Sequence, residues 1–188
     1  MKDHRRRSIR LKAYDYARPG AYFITICVQH RQCVLGKILD GQLRLSPAGV
    51  MVERKWLDIP GRFPASRLGP FVIMPNHLHG IILINASHPD EALPEPRSAS
   101  VSSMIQWFKT GTTYDYIIGV KHSDWPPFDG KLWQRNYWEH IVRTEADYER
   151  ISLYIEGNPS SWSDDRLHPS QPDWTQKGRP LEDRPSDA

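Results

Sequence analysis

The hydrophobic positions of this chain change period several times, and each change marks an element. Ala21 to Gln29 (AYFITICVQ) is dense in β-branched and aromatic residues, which predicts a strand. Val34 to Leu45 (VLGKILDGQLRL) predicts a hairpin, with Asp40-Gly41 supplying positive φ at its turn. At Ser46 the period lengthens. Pro47 suits a first helical position, Val50, Trp56 and Leu57 lie near one face, and Pro60-Gly61 ends the helix. Phe71 to Met74 and Leu78 to Ile84 are apolar runs separated by Pro75-Asn76. The second run alternates little, as a strand buried on both faces would. Ser98 to Ile118 predicts a helix with Ile105, Phe108 and Tyr116 turned inward, and Trp133 to Val142 reads as extended. Thr144 to Gly157 is helical again behind a Thr144-x-x-Asp147 capping box, and Asn158-Pro159 stops it.

The resulting order is strand, hairpin, helix, strand, strand, helix, strand, helix. It predicts an α+β fold class: a two-layer, ferredoxin-like or RRM-like domain, its sheet mostly antiparallel with the helices on one face. That domain spans residues 19–159. A basic arm, 1–18, precedes it, and a Pro-rich tail, 160–188, follows and is expected to be irregular, above all from about Pro169 onward. Five of the sixteen prolines lie from Pro159 to the last residue, with few aliphatics to bury. Ala86 to Ser98 reads as a surface loop.

Composition narrows the class. No apolar run approaches the roughly 18 residues of a membrane span, and Met1 to Arg10 lacks the apolar core of a secretory signal. Two cysteines, Cys27 and Cys33, make no disulfide framework, so a reduced compartment is expected. Charge is uneven. Met1 to Arg18 holds seven Lys/Arg against two Asp, while residues 19 to 158 hold fourteen of each sign. A neutral body with a basic arm suits a polyanionic partner, and a solvated tail suits it as well.

Three constellations could carry chemistry. In Pro75-Asn76-His77-Leu78-His79-Gly80 the two histidines are two apart on a strand. They share a face at roughly 6.5–7 Å between Cα atoms, close enough to grip one divalent ion. A pair of half-buried histidines at a strand start fits the same spacing. On the last helix Tyr154 and Asn158 stack at i, i+4, and Tyr154 falls about 60–100° off the stripe of Tyr148, Ile151 and Ile155, at the edge of the buried face. In Trp133-Gln134-Arg135-Asn136-Tyr137-Trp138-Glu139-His140, aromatics interleave with polar groups. Such a stretch can stack on unpaired bases and hold phosphates, or line an edge strand whose rings pack beneath a helix. Lys109, behind Trp107-Phe108, could reach a nucleic-acid backbone. No P-loop and no G-x-S-x-G nucleophile elbow is present, so neither nucleotide fuel nor a serine hydrolase is indicated.

Taken together, these stretches resemble the single-tyrosine HUH transposases of insertion sequences, and within them the REP-associated tyrosine transposase branch. The resemblance runs through Gly20-Ala21-Tyr22-Phe23-Ile24-Thr25-Ile26-Cys27, Phe71-Val72-Ile73-Met74-Pro75-Asn76-His77-Leu78-His79-Gly80, the Trp133 to His140 stretch, and Tyr154-Ile155-Glu156-Gly157-Asn158-Pro159. It covers about Tyr14 to Pro159. It implies His77 and His79 as metal ligands, with Asn158 alongside directly or through water, and Tyr154 as nucleophile. In the insertion-sequence branch a Gln stands where this chain has Asn158. The Val-Lys usual after Asn-Pro is replaced here by Ser160-Ser161-Trp162.

The expected activity is metal-dependent cleavage and rejoining of single-stranded DNA near palindromic repeat hairpins, through a 5′-phosphotyrosine. The cofactor would be magnesium or manganese. A phenol of pKa near 10 is ionised in only about one molecule in 10³ at pH 7, so a nearby cation would help. The covalent link conserves the phosphodiester's energy, which agrees with the missing P-loop. Arg5, Arg6, Arg7 and Arg10 of the arm, with Lys109, Trp133, Gln134, Arg135 and Asn136, are the expected DNA contacts. The resemblance further implies a cytoplasmic, bacterial, chromosome-associated protein acting as monomer or homodimer, without membrane contact. The alternative is a catalytically silent module that binds hairpin DNA or RNA.

Overall fold

The structure is a computed structural model, and it describes residues 18–85 and 100–171. The arm with Arg5, Arg6, Arg7 and Arg10, the Ala86 to Ser98 loop and the tail beyond residue 171 lie outside the described residues. Six strands and four helices follow in order: β1 (Gly20–Cys27), β2 (Gly36–Leu39), β3 (Gln42–Leu45), α1 (Pro47–Leu57), α2 (Ile59–Arg62), β4 (Ser66–Ile73), β5 (His77–Ile84), α3 (Val101–His122), β6 (Trp138–Val142) and α4 (Glu145–Gly157). Short 3-10 turns stand at Gln29–Arg31 and Trp162–Asp164. No helix among the described residues is long and apolar enough to cross a membrane.

Four strands form one antiparallel sheet in the order β4-β5-β1-β6, and β2-β3 is a separate hairpin. With α1 and α3 as crossovers this is the ferredoxin-like arrangement expected from the sequence, and the α+β class stands. Local chemistry explains the joints. Asp40 and Gly41 both adopt positive φ (52° and 72°) at the hairpin turn. Ser46 caps α1 by accepting from the Gly49 N–H at 3.0 Å, with Pro47 just inside. Ser100 and Ser103 close a reciprocal capping box on α3, so the helix starts three residues later than the apolar period suggests. At α4 Thr144 accepts from the Asp147 N–H, but the Asp147 carboxylate turns to His140 and Arg150 instead of completing the box. β4 begins at Ser66, earlier than Phe71, and its register shifts between Leu68 and Phe71, where Gly69-Pro70 interrupts an edge strand.

The main core lies between the sheet and α1 and α3, where Tyr22, Ile24, Ile26, Leu78 and Ile82 meet Val52, Trp56, Ile105, Phe108 and Tyr116. A smaller cluster, Ile81 with Ile151 and Ile155, is formed by α4. Since Ile81 alternates with Ile82 along β5, α4 sits on the opposite face from α1 and α3. The expectation of helices on one face therefore holds for the two crossover helices and is amended for α4, whose narrow apolar stripe needs only a few sheet residues to cover it.

Candidate functional site

Alternation along β5 puts His77 and His79 on the face toward α4, both buried, their ring centroids 4.5 Å apart. Their hydrogen bonds orient them. The Asn76 amide donates to the carbonyls of Arg31 (3.1 Å) and Leu167 (2.8 Å), which leaves its Oδ1 to accept from His77 Nδ1 at 2.8 Å. His77 is thereby fixed with its proton on Nδ1 and a lone pair on Nε2. His79 Nδ1 lies 2.7 Å from Thr25 Oγ1 on β1, and its Nε2 is 3.2 Å from the Tyr154 hydroxyl. Phe23 stacks on the His79 ring and meets Tyr154 edge-on.

A third group completes the cluster. Asp165, just beyond the Trp162–Asp164 turn, brings its Oδ2 to 3.7 Å from His77 Nε2. One ligand atom each from His77, His79 and Asp165 lies within 4.8 Å of the others. Two ligands sharing an ion at about 2.0–2.2 Å stand about 3–4 Å apart, which the 3.7 Å between His77 Nε2 and Asp165 Oδ2 matches. Three side-chain atoms here are buried with no hydrogen-bond partner: His77 Nε2, Asp165 Oδ2 and Asn158 Oδ1. Buried polar atoms are expensive to leave unpaired, and three in one cluster of nitrogen and oxygen donors is what a bound cation would satisfy.

The electrostatics point the same way. Burial, aided by the neighbouring His79, holds His77 well below the ordinary imidazole value. Burial likewise pushes His79 down to about 3. Both rings are therefore neutral, which is the ligand form. Burial raises the Asp165 carboxyl against the opposing pull of the Leu167 N–H and Asn158. The Tyr154 phenol is raised to about 12, first by burial and then by the Asp165 charge, with Asn158 pulling it back. A cation among these groups would reverse the penalty on both anions. In the arrangement seen here, the Tyr154 hydroxyl takes the hydrogen-bonding position at His79 Nε2 that a metal would occupy, so the two cannot share it.

The sequence-based candidates part company. His77, His79, Tyr154 and Asn158 come together. Tyr154 is half exposed, at the rim, as its off-stripe position predicts, while Tyr148 packs against the small α4 cluster. Trp133 is a correction: it is 4% exposed, packs on Phe108, and donates from Nε1 to Thr112 Oγ1 at 2.8 Å. A bridge between Val28 and Trp133 turns the indole into the core, out of reach of a base. Lys109 spends its ammonium on the carbonyls of Gln134 (2.8 Å) and Asn136 (3.0 Å), pinning that stretch to α3. Arg135 and Asn136 are exposed, and Arg135 lines a shallow cleft with Gln29, Asp129, Gly130 and Lys131. Asp165, Asn76, Thr25 and Phe23 were not singled out from sequence. Asp165 lies in a segment without periodicity, and no local pattern separates it from Asp164.

No family model matches the chain. An uncharacterised protein of Haemophilus influenzae is 43% identical over 176 residues, covering 88% of this chain and 94% of that one. The two belong to one family. The REP-associated tyrosine transposase of Escherichia coli is 24% identical over 144 residues, 77% of this chain and 68% of the other. Among solved structures, a REP-associated tyrosine transposase bound to a REP hairpin matches with a TM-score of 0.54 at 21% identity, covering 86% of this chain and 74% of that one. The last likeness concerns the fold.

Proposed function

This chain is related to the REP-associated tyrosine transposases, and on that premise we propose that it is a metal-dependent nuclease and strand transferase acting on hairpin-bearing single-stranded DNA. The observation that carries the reading is the convergence, beside a rim tyrosine, of three buried and unpaired ligand atoms on His77, Asp165 and Asn158. A structural core has no use for such a cluster. The hairpin in the related structure supports the choice of DNA. The exposed Arg135 and Asn136, and the arginines of the arm, supply candidate phosphate contacts.

In this reading His77 and His79 hold magnesium or manganese, with Asp165 as the anionic ligand and Asn158 beside them. The metal, when bound, supplies Lewis-acid stabilisation of charge on the scissile phosphate. The protein's own groups do the rest. Asn76 holds the His77 ring in its ligand tautomer, Thr25 orients the His79 ring through Nδ1, and Phe23 walls the His79 side. Tyr154 Oη gives up its proton to solvent at the rim and attacks phosphorus; the bond to the 3′ oxygen breaks, and that oxygen takes a proton from solvent and leaves as a hydroxyl. The product is a 5′-phosphotyrosine. Reversal by a 3′-hydroxyl rejoins the strand with no nucleotide consumed.

The test is a denaturing gel of protein with hairpin-bearing single-stranded DNA and Mg²⁺ or Mn²⁺. A covalent adduct that disappears with chelator, and whose phosphotyrosine maps to Tyr154, is expected. Retarded migration on a native gel with no adduct under either metal would assign the chain to the silent binding class instead.

A further inference from the structure

Arg31 is buried, and its guanidinium is committed to main chain. It donates to the carbonyls of Arg166 and His168 at 3.3 Å each and of Gln171 at 2.6 Å. These three carbonyls belong to the segment that follows Asp165. His30 and Arg31 both adopt the left-handed conformation (φ 56° and 52°), which non-glycine residues seldom enter, and two in succession is rarer. The turn that carries them is tied to the ligand strand's lead-in: the Val28 N–H donates to the Asn76 carbonyl at 2.8 Å and the Leu35 N–H to that of Pro75 at 3.0 Å. The Asn76 side chain closes the circuit, since one amide binds Arg31 O, Leu167 O and His77 Nδ1. Leu167 is buried, and Trp162 lies against the His77 ring.

Resting on the metal reading above, we infer that Arg31 is a positioning residue for the metal site. By gripping the carbonyls of residues 166–171 it holds Asp165 against His77. The carboxylate arrives on a segment with no strand or long helix of its own, joined to α4 through residues 158–164. Without the grip, ordering that segment falls to the metal itself, and affinity drops by what ordering costs. A planar fork reaches three carbonyls from one buried position; a lysine ammonium, a single point on a flexible stem, does not. The guanidinium contacts none of His77, His79 and Asp165, and the three carbonyls it grips all lie on the segment that carries Asp165, so its grip is tested through that carboxylate.

That last point sets the experiment, a double-mutant cycle on Mn²⁺ affinity of the purified full chain, read by electron paramagnetic resonance of free Mn²⁺. Wild type, Arg31→Met, Asp165→Asn and the double variant are titrated, with circular dichroism confirming fold. Arg31→Met is expected to bind Mn²⁺ about 10-fold more weakly, as loss of an outer-shell partner does, and Asp165→Asn, which loses a ligand, by at least as much. The double variant is expected to bind no more weakly than Asp165→Asn alone. Wild-type affinity in Arg31→Met, or losses that multiply in the double variant, would overturn the inference while leaving the metal site standing. A wild type that binds no Mn²⁺ would remove the metal reading itself. Should Arg31→Met not fold, Arg31→Lys, which keeps the charge and loses the fork, takes its place in the cycle. Weaker Mn²⁺ binding that adds nothing in the Asp165→Asn background is expected, and wild-type affinity would overturn the inference.

Discussion

On the face of the sheet covered by α1 and α3, Tyr22, Ile24 and Ile26 of β1 lie beside Leu78 and Ile82 of β5 in a continuous apolar layer. On the other face, the residues in between are Phe23, Thr25, His77, His79 and Ile81, and the helix above them is α4. The same two strands thus supply both. Their period of two lets one residue enter the apolar core while its neighbour faces the His77–His79–Asp165 cluster, with no change of backbone. Gly80 shows how closely the two demands are set. A Cβ there would stand 2.5 Å from the Trp56 indole, so the residue between His79 and Ile81 has no side chain at all. Close packing on one face thus constrains the backbone that carries His79 and Ile81 on the other.

If the two faces divide their work in this way, variants on each should fail differently. The largest effect is expected from Tyr154→Phe, which should abolish the covalent adduct while stability moves by only about 0.5 kcal/mol, as for other rim substitutions. Tyr148→Phe should keep the adduct, and mapping the phosphotyrosine in both variants checks the pair. On the packed face, Phe108→Ala should cost about 3–5 kcal/mol in urea unfolding, with the Mn²⁺ affinity of the folded protein unchanged. A variant that lost metal in proportion to stability would break the division. Gly80→Ala should cost about 1–3 kcal/mol through overpacking against Trp56, and adding Trp56→Leu should recover part of it. Thr25→Val removes the hydroxyl beside His79 Nδ1 and should weaken Mn²⁺ binding about 10-fold by titration, with the fold retained by circular dichroism.

The smallest effect belongs to neither face. Asp147, at the start of α4, is pushed up by burial, but hydrogen bonds from His140 and Arg150 outweigh this and hold its carboxyl below the ordinary range. A carboxylate lowered by folding contributes in full above its unfolded value near 3.9, and the contribution is lost as pH falls through the lower folded value. Asp147→Asn should therefore lower the melting temperature slightly at pH 7 and leave it unchanged near pH 2. A difference that persisted in acid would show that the ion pair is not its source.

What could be read from the sequence was whatever repeats or sits close along the chain. The strands and helices announced themselves by period, the hairpin by Asp40-Gly41, and the histidine pair and the Tyr154-Asn158 pair by spacings that each lie within one element. What could not be read was contact between distant segments. Arg31 meets Arg166 across 135 residues of chain, and Asp165 reaches His77 from an irregular stretch that composition alone marked as tail. Trp133 misled because an aromatic beside polar residues looks alike in a core strand and on a nucleic-acid surface. Only its pairing with Val28 decides between them. The side of the sheet chosen by α4 was equally hidden, since an apolar stripe says that a helix packs and not where.

The distance between Arg31 and the carbonyls it grips also orders events in time. A ribosome adding roughly 5–20 residues per second has the ferredoxin-like strands and both crossover helices in hand before residues 166–171 emerge. The grip belongs to an early part of the chain and its object to a late one, so the aspartate is seated only after the sheet that receives it exists. A nascent chain carrying Tyr154 and both histidines is still without Asp165. Synthesis itself thus sets an interval in which the receiving sheet exists before the carboxylate is seated against His77.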